Sequence, residues 1–178
     1  MDGLVEDGAS ISRLTAHTSI TTIKPNLNHF SLARYRFTLA VKTEIQLPQY
    51  KGSTFHGAFG LALKKMSPSF YNIFYSSTSK NQNPKPFVLI PVLDDCLKYH
   101  PGSQMQFELI LFGDAVAHFP VCFAAFENLG LQIGFGTNRG QYSIDKVECV
   151  TKAGMTQCLY ENGEWLSVLA TVTGQDIV

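Results

Sequence analysis

Two switches of hydrophobic period constrain the fold of this chain more than any other feature. Each runs from alternate residues to every third or fourth. Tyr35, Phe37, Leu39 and Val41 alternate with mostly polar or small residues in segment 35–45, the period of a half-buried strand. Leu47-Pro48-Gln49-Tyr50 breaks it. Phe55, Phe59, Ala62 and Met66 then fall at helical spacing, with Ala58 and Leu63 beside them and Ser53 in position to cap. The second switch follows segment 104–112, a strand that alternates at first and is then continuously apolar. Gly113-Asp114 ends it, with Asp114 able to cap a helix from about Ala115 to Leu129. Pro120 lies inside that pattern, so the helix either begins near it or kinks there.

Pro68 ends the first helical pattern, and 67–85 reads as a polar connection with several aromatics. Segment 86–92 is a short apolar strand and 94–102 a turn region. Segment 141–151 is a further strand. Then 157–160, a turn at Asn162-Gly163, and 165–169 form a hairpin, since Asn-Gly is a strong type I′ signal. The order strand, helix, strand, strand, helix, strand, plus a C-terminal hairpin, predicts an α+β fold of the ferredoxin-like split βαβ kind. Its antiparallel four-stranded sheet carries two helices on one face. The other face stays open, and related folds use such a face for single-stranded RNA. Residues 1–30 read as a loosely ordered lead-in, 31–170 as the domain, and 171–178 as a tail.

The 178 residues suffice for one domain with a substantial core. Hydrophobic residues at 45% against 16% charged argue for a globular chain. The formal net charge is zero, which counts against a general nucleic-acid coat. A local basic patch remains compatible, because screening limits each charge to its neighbourhood. No apolar run approaches the roughly 18 residues of a membrane span. The N-terminus lacks the basic start and apolar stretch of a secretory signal, so a cytoplasmic protein with no membrane partner is expected. Cys96, Cys122, Cys149 and Cys158 form no C-x-x-C pair, which argues against structural zinc and for buried free thiols in a reducing compartment.

Between the second helix and the following strand lies Ile133-Gly-Phe-Gly-Thr-Asn-Arg-Gly-Gln-Tyr142. Gly134, Gly136 and Gly140 let the backbone approach a partner closely. Exposed N–H groups here would form an anion-binding nest, with Arg139 adding a fork of donors beside Asn138. A tight turn needing glycine for steric reasons alone is the competing reading. Phe135 and Tyr142 are aromatics suited to base stacking or to the core.

Four segments in order resemble the CRISPR-associated RAMP proteins, closest to the endoribonuclease branch that cuts precursor CRISPR RNA. Leu47-Pro-Gln-Tyr-Lys-Gly-Ser-Thr-Phe-His-Gly-Ala-Phe-Gly-Leu-Ala-Leu-Lys-Lys65 resembles that family's first-helix signature. Lys85-Pro-Phe-Val-Leu-Ile-Pro91 resembles its second strand, and Tyr99-His-Pro-Gly-Ser-Gln-Met-Gln-Phe-Glu-Leu109, with Leu111-Phe-Gly113, its third. The segment from Gly134 to Tyr142 resembles its glycine-rich loop, a phosphate-backbone contact. The resemblance covers about residues 35–170. Family processing enzymes carry two ferredoxin-like domains in tandem. One is present here, so the chain resembles an N-terminal half. The family often has Arg where this chain has His56.

The resemblance implies RNA binding and a metal-independent cleavage that needs no cofactor. In such chemistry a 2′-hydroxyl attacks the adjacent phosphorus and the 5′-oxygen leaves as a proton arrives. Histidine suits that proton transfer and a cation suits the transition-state charge. Related nucleases use a His near the first helix with a Tyr and a Lys nearby, which here points to His56, Tyr50 and Lys51. The RNA-binding candidates are Gly134, Gly136, Asn138, Arg139 and Gly140 in the loop, with Lys64 and Lys65 at the helix end. Implied partners are CRISPR repeat RNA and a second RAMP domain or other CRISPR-associated proteins. The alternative is a non-catalytic, RNA-binding structural subunit of a CRISPR effector complex.

Overall fold

The computed structural model describes residues 31–75, 84–151 and 154–166. The lead-in, the tail and the far end of the hairpin lie outside the described residues. The first strand, β1 (Leu32–Val41), occupies the centre of a six-stranded antiparallel sheet. On one side are β5 (Gln104–Phe112) and then β3 (Phe87–Ile90). On the other are β6 (Tyr142–Val150), β7 (Thr156–Glu161) and β8 (Glu164–Trp165). The four strands β3-β5-β1-β6 form the ferredoxin-like sheet. The hairpin strands β7 and β8 continue it rather than standing apart, with β7 pairing antiparallel to β6. Asn162 and Gly163 both have positive φ at the tip, as a type I′ turn requires.

β1 starts three residues before the alternating pattern at Tyr35 and ends at Val41, short of the expected Ile45. At Lys42 the chain turns, and the amides of Lys42 and Thr43 both donate to the Gln141 carbonyl. The next residues become β2 (Ile45–Gln46), which pairs with β4 (Lys98–Tyr99) in a separate two-stranded sheet. Such short pairings leave no periodicity to read.

Helix α1 (Gly52–Met66) matches its sequence pattern, with Phe55, Phe59, Ala62 and Leu63 buried and Lys64 and Lys65 in the last turn. Ser53 is inside the helix. The cap position is Lys51, which makes no side-chain capping bond. Pro68 does end α1, but it also opens α2 (Pro68–Tyr75), which sequence reading treated as a connection. Proline fits a first helical turn as well as it fits a stop.

The segment after β5 is a 3₁₀ turn (Gly113–His118), so Asp114 caps no α-helix. Helix α3 (Phe119–Asn128) begins at the proline, which occupies its first turn. A π-helical turn (Leu129–Ile133) leads into the glycine-rich loop.

The core lies between the sheet and α1 with α3. Inward residues of β1 meet aromatics of α3 and β5: Tyr35 stacks on Phe119 of α3 at 3.8 Å, and Phe37 contacts Phe107 of β5 at 4.8 Å and Phe126 of α3 at 5.3 Å. Phe59 of α1 stacks on Phe126 of α3 at 4.7 Å, which locks the two helices together. Cys122 and Cys149 are buried free thiols. Cys96 is exposed and Cys158 partly so.

The open face of the sheet is charged rather than aromatic along β1 and β5. Arg34 and Arg36 of β1 converge on Glu108 of β5, with Nη2–carboxylate distances of 2.6 and 3.1 Å. Glu108 is nearly buried under them.

Candidate nucleic-acid interface

The glycine-rich loop is docked on β2, and that contact explains its glycines. The Thr137 amide donates to the Gln46 carbonyl at 2.9 Å. Asn138 accepts from the Gln46 amide at 2.9 Å and donates to the Glu44 carbonyl at 2.7 Å, so its side chain extends the β2 backbone pairing. A Cβ on Gly140 would lie 2.1 Å from the Glu44 oxygen, and one on Gly136 would lie 2.4 Å from the Gln46 oxygen. Gly134 and Gly136 also have φ of +81° and +79°. Close backbone approach is therefore real here, and its first beneficiary is β2. Phe135 and Tyr142 are each 1% exposed and belong to the core. The Tyr142 hydroxyl donates to the Phe126 carbonyl at 2.8 Å.

Arg139 differs from its neighbours. It is exposed, and its φ of +54° puts a non-glycine residue in the left-handed region. That conformation costs on the order of 1 kcal/mol, which glycine would avoid. Arg139 lines a cleft of about 250 Å³ between the loop and α1. Gly134 and Gly136 line the cleft from the loop, and Ala58, Leu61 and Lys65 from α1. No acidic residue lines it, so two cations face one concave space.

The three residues of the expected catalytic group point to three places. Tyr50 is 76% exposed, with its ring over Gly52. Lys51 is buried, and its ammonium is held by the carboxylate and carbonyl of Asp94. The Tyr99 hydroxyl donates to the same carboxylate at 2.6 Å. Burial pushes the Asp94 carboxyl up, but the bonds from Lys51, Tyr99 and the Cys96 amide prevail and hold it below the usual carboxylate range. Lys51 thus pins the start of α1 to the segment after β3.

His56 faces another way. Its ring stacks on Phe87 at 5.4 Å and meets Tyr75 edge-on at 4.9 Å. Nε2 lies 3.0 Å from the Lys85 ammonium. Partial burial, and then the Lys85 charge, lower its pKa below the ordinary histidine value. The neutral ring with a free Nε2 lone pair is the form that accepts from Lys85. Tyr75 closes the group by donating its hydroxyl to the His56 carbonyl at 2.6 Å. A histidine, a lysine and a tyrosine do cluster, but the lysine is Lys85 and the tyrosine is Tyr75. Neither partner is legible in the sequence, because α2 opens at a proline that also reads as a stop and Lys85 is 29 residues from His56.

Among the described residues, no three His, Cys, Asp or Glu side chains group as metal ligands. No helix among them is long and apolar enough to cross a membrane.

The fold is the ferredoxin-like α+β architecture. It matches a chain of the Csm3-Csm4 subcomplex of the type III-A CRISPR-Cas interference complex with a TM-score of 0.50 at 16% identity. That match covers 69% of this chain and 81% of that one. A Cas6 product complex aligns with a TM-score of 0.45 at 21% identity, covering 69% of this chain and 42% of that one. The chain belongs to the family AF_1859_N, described as an N-terminal domain, which matches residues 30–173. No curated protein matches the sequence.

Proposed function

We propose that this chain is the RNA-binding domain of a CRISPR RNA-processing protein, with CRISPR repeat RNA as its ligand. The observation that carries the reading is the acid-free cleft lined by both Lys65 and the left-handed Arg139, together with Gly134 and Gly136. Phosphate oxygens suit this arrangement, because the guanidinium offers paired donors and Lys65 a mobile point charge. The RAMP-type fold supports an RNA ligand by analogy only. A second RAMP domain or another CRISPR-associated protein is the expected protein partner, and the family's description as an N-terminal domain supports that.

Cleavage is the finer part of the proposal. His56 and Lys85 have the form of a proton-transfer pair: when the Lys85 ammonium turns from Nε2 to a phosphate, it frees the imidazole lone pair to act as general base and stabilises the phosphorane-like charge. The buried, carboxylate-bound Lys51 favours the second reading, a domain that holds RNA without cutting it. Tyr50 and Lys51 then serve the entry to α1, and binding rests on Lys64, Lys65 and the loop from Gly134 to Gly140.

The test uses labelled CRISPR repeat RNA in chelator, with salt titration. Arg139→Ala is expected to reduce the slope of log affinity against log salt by ~0.7, the value for one single-strand phosphate contact. An unchanged slope removes the loop from the interface. Metal-independent cutting that disappears in His56→Ala, with RNA affinity retained, supports catalysis. Binding without cutting supports the holding role.

A further inference from the structure

Helix α1 presents a second basic surface on the flank opposite to the loop. His56, Gly60 and Lys64 follow at intervals of four, which places them on one ridge of the helix. That ridge meets α2. A Cβ on Gly60 would lie 3.0 Å from the Tyr75 ring, so Gly60 is the seat on which Tyr75 rests. Tyr75 and Tyr71 stack in parallel at 5.0 Å with an interplanar angle of 1°. A lysine covers each ring: Lys64 lies 5.7 Å from the Tyr71 centroid and Lys85 5.1 Å from that of Tyr75.

The result is a column of two tyrosines with an ammonium associated with each. Both lysines are exposed. Neither has an acidic partner among the described residues, and the chain has no Asp or Glu anywhere between Glu44 and Asp94. In a molecule of zero net charge this is a pronounced segregation. Lysines usually lose much side-chain freedom when they bind an anion. Here cation–π contact already restricts them, so less is lost on binding.

We infer that the Lys64–Tyr71–Tyr75–Lys85 column is a second binding site for the phosphodiester backbone of single-stranded RNA. A strand held in the cleft by Lys65 and Arg139 crosses α1 and reaches the column. Lys64 and Lys65, adjacent in sequence, lie on the two sides of the crossing. The inference rests on the RNA-binding reading above and adds the path of the strand.

The experiment compares RNA oligonucleotides of ~5 and ~15 nucleotides, spanning the range of single-strand site sizes. Wild type, Lys64→Gln/Lys85→Gln, Arg139→Ala, and the surface control Lys98→Gln are titrated with each across salt. Thermal melts confirm folding. The double variant is expected to lose ~1.4 from the salt slope on the long RNA, two single-strand phosphates, and almost nothing on the short one. The control should match wild type. A double variant with an unchanged slope, while Arg139→Ala lowers it, overturns the column and leaves the proposed function standing. A wild type that binds neither RNA at low salt overturns the proposed function itself. Photo-crosslinking with 4-thiouridine RNA gives a second readout. Crosslinks on the peptide holding Tyr71 and Tyr75 support the path, and their absence when loop crosslinks form refutes it.

Discussion

Replacing Gly140 by alanine tests whether the loop's glycines serve the docking on β2. The new Cβ would sit 2.1 Å from the Glu44 oxygen and 2.6 Å from Ile45 Cγ1. The first obstacle is backbone, which cannot rotate out of the way, so the loop must lift. Lifting breaks the Thr137 amide bond to Gln46 and both Asn138 side-chain bonds to β2. At about 1 kcal/mol net each, the loss is ~3 kcal/mol. For a domain of this size that lowers Tm by roughly 6–12 °C. Gly57→Ala is the internal control. Nothing lies within 4 Å of a Cβ there, and the residue is exposed on α1. Helix propensity alone then predicts a gain of ~1 kcal/mol, or roughly 2–4 °C. Calorimetry or urea denaturation reads both variants. A Gly140→Ala loss below ~1 kcal/mol, no greater than one of those hydrogen bonds, would refute the docking argument.

Other expected outcomes are as direct. Arg139→Gly relieves the left-handed backbone and should stabilise the fold by ~1 kcal/mol in denaturant titration, while RNA binding loses its Arg139 salt dependence. Lys51→Met keeps the apolar stem and removes the ammonium. Because the Asp94 side chain is 43% exposed, solvent softens the loss to ~1–2 kcal/mol, below the cost of a fully buried pair. The sign with pH follows from Asp94. Its folded pKa is lowered, so the pair's contribution is present above the unfolded value near ~3.9 and fades as acid protonates the carboxyl. Wild type and variant should converge there. An NMR titration of His56 should show a midpoint below the ordinary histidine value. Lys85→Ala should raise it only part of the way, because burial is the larger cause.

The strands and helices that form the core were legible because each carries a period. Phe55 and Phe59 lie four apart on α1, and Tyr35, Phe37 and Leu39 alternate on β1; both patterns reached the core as expected. α2 was missed because its eight residues begin at a proline that also reads as a stop, and it buries only Phe74. β2 and β4, two residues each, were missed because their pairing is stabilised by partners far along the chain.

The period switches, hence the βαββαβ order, and the Asn162-Gly163 turn are legible in the sequence alone. These depend on neighbours within a few residues, where dihedral and amphipathic rules act. Tertiary structure decided what the loop and the charged residues do. Gly136 and Gly140 face the Gln46 and Glu44 carbonyls, at and just before β2 and 90 or more residues upstream, Lys51 is buried against Asp94, and His56 meets Lys85 rather than Lys51. Such contacts join segments with no shared periodicity. Their partners are chosen by the packing of the whole core, which no local pattern encodes.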